Sequence, residues 1–249
     1  MIQILAAIMF FTRLPLWKVA NVPSEYFKNI VAYWPLSGWL TAGVMTLTLY
    51  ASSLVFSPSV AIVLTILSRV LLTGALHEDG LADFMDGFGG GTCKEKILAI
   101  MKDSHIGTYG VIGLIFYFGT LYSIFSSLPL SVLGGIILTA DPFCKGVSSM
   151  IINRLPYVRK EEEAKSKTVY SKMNTKEILI CALFSLVSLF WLPSATYLLA
   201  AIPTIAIFLS LIYYMRKKIG GYTGDCCGAV FLICELCFYA GCLIIYEKM

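Results

Sequence analysis

A chain of 249 residues is long enough for one or two water-soluble domains, but 58% hydrophobic and only 14% charged residues, with a mean hydropathy of +0.80, exclude that class. The composition is that of an integral membrane protein. The net charge of +4 comes from 19 basic and 15 acidic side chains, and no nucleic-acid partner is expected.

In chain order, the first apolar element runs from Ile2 to Phe11. It is too short to span a bilayer, has no basic stretch before it and no small-residue cleavage pattern after it, so it is expected to stay in place as an interfacial or re-entrant half-helix. Seven apolar windows follow, at roughly 31–56, 59–76, 106–126, 130–152, 178–192, 196–215 and 228–246, judged against the ~20 residues a spanning helix needs. The window 178–192 is short for a span. The expected fold class is all-α, a polytopic transmembrane helical bundle of about seven spans plus the half-helix, forming one domain over residues 1–249.

The basic residues sort by loop. Of 19, 16 fall in four segments: Arg13 to Lys28, Lys94 to Lys102, Arg154 to Lys176 and Arg216 to Lys218. The connections at Ser57-Pro58, Ser127-Leu128-Pro129 and Pro193-Ser194-Ala195 carry none. Alternating spans put every basic loop on one face, which by the positive-inside rule is the cytoplasmic one. The loop Arg154–Lys176, with Glu161-Glu162-Glu163, is the most soluble-looking segment, and its cations are explained chiefly by topology and attraction to anionic lipid, with the gathering of anionic substrate as a further role open to them.

Eight cysteines include Cys226-Cys227 and Cys234-x-x-Cys237, but the latter pair lies in an apolar run without a companion pair at metal spacing. Buried apolar thiols are the expectation, not a zinc or iron–sulfur site.

Against this background the stretch HEDGLADFMDGFGGG (His77–Gly91) places four carboxylates within ten residues, followed by a glycine cluster. Asp79, Asp83 and Asp86 are spaced i, i+4, i+7, which stacks them on one helix face where like charges repel. A divalent cation relieves the repulsion. Carboxylate-only ligation suits a hard ion, and Mg²⁺ takes one or two carboxylates while substrate phosphates and water complete its shell. Gly87 and Gly89-Gly90-Gly91 are suited to close approach of backbone amides to an anion, so Gly89 and Gly90 are candidates for substrate contact. Together these features suggest a nucleotide diphosphate.

Two further patches fall on the same edge. KDSHIGTYG (Lys102–Gly110) brings Lys102, Asp103, Ser104 and His105, and GGYTGD (Gly220–Asp225) brings Thr223 and Asp225. Arg69, Asp141, Lys145 and Glu235 lie in or against apolar spans, where charge is costly and faces the bundle interior. Asp141 and Lys145 are at i,i+4 and can pair with one another; Glu235 can reach toward the site, and Arg69 can pair with it or with phosphate. Lys102, Ser104, Thr223, Lys145 and Glu235 complete the substrate-binding candidates. His77 and His105 are the only histidines and both border an acid patch; a structural role is the ordinary one at an interface, and His77 is carried forward as a catalytic candidate.

Three stretches taken together, GALHEDGLADFMDGFGGG (Gly74–Gly91), ILAIMKDSHIGTYG (Ile97–Gly110) and GGYTGDCCGA (Gly220–Ala229), with FFTRLP (Phe10–Pro15) near the start, resemble the cobalamin synthase family, the adenosylcobinamide-GDP ribazoletransferases. The resemblance runs from end to end. It implies a multi-pass transferase of the cell inner membrane, active on the cytoplasmic face and in contact with membrane lipid. Such an enzyme joins adenosylcobinamide-GDP to α-ribazole or its 5′-phosphate, releases GMP and requires Mg²⁺; the oligomeric state is left open. By position, Asp79, Asp83 and Asp86 match the acids of the family's HxDGLADxxDG motif and are expected to bind Mg²⁺. Asp103 matches the acid of its second motif, and Asp225 and Glu235 match acids of its last. Asp103 or Asp225 is the expected base. Phe84-Met85 stands where the family has small residues, Lys145 where Arg is common and Leu232 where an acid is frequent; no motif acid is lost. A CDP-alcohol phosphatidyltransferase would show a DGxxAR element, whereas here Asp79-Gly80 is followed by Leu81-Ala82-Asp83 without Arg. A secondary transporter would commonly show an internal repeat, and none is apparent.

Overall fold

A computed structural model describes residues 2–159 and 169–249; the acidic run Glu161-Glu162-Glu163 lies outside the described residues. The described chain is helical. α1 (Ile2–Phe11) is followed by short 3-10 turns, then α2 (Trp34–Ser53), α3 (Pro58–Thr73), α4 (Leu76–Gly90), α5 (Lys94–Ile100), α6 (Thr108–Ser127), α7 (Leu130–Ser149), α8 (Ile151–Arg154) and α9 (Thr175–Leu186). After 3-10 turns at Val187–Trp191 and Ala195–Ala200 come α10 (Ala201–Ile219) and α11 (Gly224–Lys248). Among the described residues the only β-pairing is an isolated bridge between Tyr157 and Tyr222.

Among the described residues four segments are long and apolar enough to cross a membrane: Thr108–Ser127, Leu130–Arg154, Ala195–Ile219 and Gly224–Lys248. α3 and α4, bent by 90°, make a fifth if counted as one broken span. Seven windows were expected, and two of them show why the counts differ. α2 has the length, 20 residues, but Ser, Thr and Gly dilute its hydropathy. Window 178–192 resolves into the 12-residue α9 and a 3-10 stretch, too short for a spanning α-helix.

The polar residues of α2 are there for packing. Ser37, Gly38, Thr41, Ala42 and Thr46 are buried against α7, and a Cβ on Gly38 would stand 2.7 Å from the Cα of Pro142. Small residues let two membrane helices approach this closely without a hydrophobic driving force between them. α1 does not span; Ala6, Ala7 and Phe11 pack into the bundle, so the half-helix is docked.

The bend before α4 is built from two consecutive left-handed residues, Gly74 (φ 65°) and Ala75 (φ 58°). Gly74 accepts this conformation without cost and leaves room for the Arg13 side chain, whereas Ala75 carries a Cβ into a region that L-residues avoid. The Arg13 amide also donates to the Leu72 carbonyl at 2.7 Å, tying the FFTRLP segment to the corner. α4 leaves the bend lying against α11, with Gly80 so close that an added Cβ would meet the Asp225 carbonyl oxygen at 2.9 Å. Gly87, Gly89 and Gly90, read from sequence as a phosphate-cradling cluster, belong to the last turns of α4. There Gly87 admits Met101 and Gly89 admits the Tyr109 ring.

Candidate active site

Both acid-bearing helices begin at the same place. α4 has Glu78 and Asp79 in its first turn, and α11 has Asp225 in its first turn with Thr223 as the N-cap, its hydroxyl accepting from the Cys226 amide at 3.4 Å. Helix N-termini carry partial positive charge, so both ends favour an anion.

Between them lies a cavity of about 260 Å³. Its aromatic walls come from Phe11, Trp34, Tyr157, Tyr170 and Phe231, and its ionisable side chains are His77, Asp79, Lys145, Arg159 and Asp225. The Arg159 guanidinium donates to Asp225 Oδ2 at 3.3 Å and to the Leu98 carbonyl at 3.4 Å. Lys145 pairs with Asp141 at 2.7 Å and donates to the Thr41 hydroxyl at 3.1 Å, while that hydroxyl donates to Asp141 Oδ2 at 2.5 Å. The Lys145 ammonium also lies 4.9 Å from the Phe231 ring centroid, within cation–π reach. The His77 ring stacks on Phe11 at 5.7 Å and is 4.8 Å from Phe231. Burial pushes the Tyr157 hydroxyl up to about 12, so it stays a neutral hydrogen-bonding group at physiological pH.

Of the residues picked out from sequence, His77, Asp79, Lys145 and Asp225 therefore meet at one cavity, and Thr223 caps the helix that carries Asp225. The others are elsewhere. Asp83 sits one turn along α4 from Asp79 and is partly buried. Asp86 is buried, and its two carboxylate oxygens accept from the Gly107 and Gly110 amides at 2.7 and 2.8 Å, holding the start of α6 against α4. Glu235 is fully buried and bonded to Arg69 at 2.5 Å, with the Tyr239 hydroxyl donating to it at 3.2 Å. Arg69 also donates to the Tyr117 hydroxyl and lies 3.6 Å from Glu78, so of its two anticipated partners it takes the carboxylate. Lys102, Asp103, Ser104 and His105 form an exposed turn in which Asp103 accepts from the His105 amide at 3.0 Å and contacts its ring at 2.7 Å. The His105 amide and then its ring hold the Asp103 carboxyl below the ordinary carboxylate value. Gly89 and Gly90 are exposed at the end of α4. Among the described residues no three His, Cys, Asp or Glu side chains group into a metal-holding set.

A family model described as cobalamin-5-phosphate synthase matches residues 3–243. The chain belongs to the cobalamin-5-phosphate synthase family. An adenosylcobinamide-GDP ribazoletransferase of Shewanella amazonensis is 35% identical over 249 residues, covering 98% of this chain and 95% of its own. Proteins with the same name from Vibrio parahaemolyticus and Leptospira interrogans are each 35% identical, covering 98% of this chain and 93% and 96% of their own. No solved structure matches.

In this member of the cobalamin-5-phosphate synthase family, Arg159, Tyr157, Tyr170, Trp34 and Phe231 also line the cavity, and none of them is singled out by a local signal in the sequence. Arg159 was one of seven basic residues in a loop whose charge topology already explained. The aromatic residues are scattered over nearly 200 positions in a chain that is 13% aromatic, and no local signal sets them apart. Tyr222 of the GGYTGD motif did carry a signal: it pairs with Tyr157 through the isolated bridge and an edge-to-face ring contact at 5.4 Å, which brings the Arg159 segment to the cavity.

Proposed function

We propose that this membrane protein joins adenosylcobinamide-GDP to α-ribazole or its 5′-phosphate, releasing GMP, at the cavity between the starts of α4 and α11. Membership of the family makes it a transferase of cobalamin biosynthesis. The observation that carries the placement is that Asp79 and Asp225, nearly 150 positions apart, line one cavity together with Lys145 and Arg159.

In this reading a ribose hydroxyl oxygen bonds to the cobinamide-bearing phosphorus, the bridging P–O bond to GMP breaks and GMP departs with the bridging oxygen. Asp225 takes the hydroxyl proton. Arg159, already on that carboxylate, turns its donors to the phosphate, where a planar fork suits two oxygens. The two helix N-termini add fixed positive ends toward the same anion.

The donor set is chemically suited to Mg²⁺. Asp79 on the cavity wall and Asp83 one turn away offer the one or two carboxylates that this ion takes when substrate phosphates and water supply the rest, so a three-residue protein cage is not required. Asp79 and Asp83 would hold it. The ion would supply charge neutralisation of the diphosphate and of the departing GMP. Asp86, whose oxygens already serve two amides, is assigned to hold α6 in place.

The described basic residues Arg13, Lys94 and Arg159 lie at Gly74, at Gly220 and in the cavity, which supports a cytoplasmic active face by the positive-inside rule; the inner membrane is the reading that the family resemblance carries. Leu47, Leu67, Ile115, Phe116 and Ile202 are exposed on helix surfaces and face lipid. The test is GMP release by purified protein in detergent. Asp225→Asn should reduce it at least a hundredfold with melting temperature retained; wild-type turnover in that variant would remove Asp225 from the chemistry.

A further inference from the structure

The cavity has a polarity gradient. Its buried part joins the rings of Phe11, Trp34, His77 and Phe231 to Lys145 and Ser148, whose polar atoms are already held by Asp141, Thr41 and the Lys145 carbonyl, whereas Asp79 is exposed and marks the side open to solvent. Two polar atoms of the buried side chains have no hydrogen-bond partner among the described residues, Trp34 Nε1 and His77 Nδ1. An unpartnered buried donor costs roughly 1–3 kcal/mol, so a ligand that supplies its partner is favoured.

Size limits the occupant. A cavity of about 260 Å³ falls just below the roughly 300 Å³ at which ligand pockets usually begin. It takes one bicyclic aromatic base and excludes a corrin macrocycle. Three bases belong to the proposed reaction, the adenine of the adenosyl group, the guanine of the GDP group and the benzimidazole of ribazole, and their chemistry separates the two purines, each with several polar edge atoms, from the third. Guanine presents donors and acceptors around most of its edge, each needing a partner once buried. Benzimidazole in a riboside presents a single ring acceptor, its unsubstituted nitrogen, on an otherwise apolar bicycle. A slot in which the indole N–H is the one obligatory donor without a partner among the described lining residues matches benzimidazole and leaves either purine largely unsatisfied.

From this geometry we infer that the cavity is the seat of the benzimidazole base of the ribazole substrate, with Trp34 Nε1–H donating to its ring nitrogen and Phe11 and Phe231 supplying the apolar walls. This rests on the ribazoletransferase reading and assigns which substrate the pocket holds. With the base in the aromatic end, the ribose lies toward Asp79 and Asp225, where its hydroxyl meets the carboxylate that takes the proton.

The experiment is a steady-state and binding comparison of wild type with Trp34→Phe, which keeps an aromatic ring and removes the donor, and Phe231→Leu, which keeps an apolar side chain and removes the ring face. Melting temperature checks the fold of each. Trp34→Phe should raise the KM for α-ribazole about tenfold or more while the KM for adenosylcobinamide-GDP changes less than about twofold. α-Ribazole, titrated alone by calorimetry, should bind wild type and bind both variants more weakly, and GMP should not displace it. A rise confined to the KM for adenosylcobinamide-GDP, displacement of α-ribazole by GMP, or unaltered α-ribazole binding in two folded variants would each overturn the assignment. Because a wild-type protein that releases no GMP from these substrates would instead refute the transferase reading, the two failures are distinguishable.

Discussion

The Arg159 guanidinium lies 3.3 Å from Asp225 Oδ2 on the wall of the cavity, with both side chains less than a tenth exposed. This contact joins the segment after α8 to the first turn of α11, and it puts a cation beside the carboxylate proposed to take the proton. Arg159→Lys keeps the charge but loses the planar fork, and Arg159→Ala loses both. We predict GMP release falling in the order wild type, Lys, Ala, with the larger effect on the KM for adenosylcobinamide-GDP. Equal KM values across the three proteins would show that Arg159 does not meet the phosphate.

Glu235, a substrate candidate by sequence, should behave as part of the framework. Arg69 and Glu235 are both fully buried and bonded to each other, and removing one partner of such a pair costs ~3–5 kcal/mol because the other is left charged in apolar surroundings. Glu235→Ala should therefore lower the melting temperature in detergent sharply, and the double variant Arg69→Leu with Glu235→Leu should recover part of the loss. A Glu235→Ala protein that melts like wild type yet is inactive would return Glu235 to the site.

Asp86 and Asp79, seven residues apart on α4, are predicted to fail differently. Asp86 takes two amide donors with its two oxygens, and Asn would turn an N–H₂ toward one of those amides. Losing a charge-assisted bond of this kind costs ~1.5–3 kcal/mol. Asp86→Asn should lower stability and increase protease cutting near Gly107, while Asp79→Asn should melt normally and lose GMP release. Limited proteolysis beside the activity assay separates them; the opposite pattern would exchange the two roles.

The turn at Asp103 should be sensitive to acid. Its carboxyl is held below the ordinary carboxylate value by the His105 amide first and the His105 ring second. A depressed folded-state value means the stabilisation is present above the ordinary carboxylate pKa and is lost as pH falls through the lower folded value. Amide exchange over Ser104–His105 should therefore stay protected at neutral and mildly acidic pH, after correction for intrinsic rates, and open only below the ordinary carboxylate range. Asp103→Asn should remove that acid transition. A transition at the same pH in the variant would mean another group governs the turn.

Features that depend on near neighbours and on cost in lipid are legible in the residues alone. The sorting of basic loops, the non-spanning half-helix Ile2–Phe11, the acid face on α4, the Asp141–Lys145 pairing at i,i+4 and the motifs that place the chain in its family are all readable within a few turns of helix, whereas the docking of the half-helix into the bundle is not. Only the tertiary structure decided which distant group each charge meets. Arg69 and Glu235 are 166 residues apart and Arg159 and Asp225 are 66 apart, so their pairing depends on the relative height and rotation of helices that no local periodicity specifies. The same holds for the right-angle corner at Gly74-Ala75. It swings α4 onto α11, carries Gly87, Gly89 and Gly90 to the far end of α4 from the cavity, and separates Asp79 at the cavity from Asp86 beneath α6. Span number was hard to read for a related reason: α2 spends Ser, Thr and Gly on close packing with α7, so residues that serve helix contact lower the hydropathy by which a span is recognised.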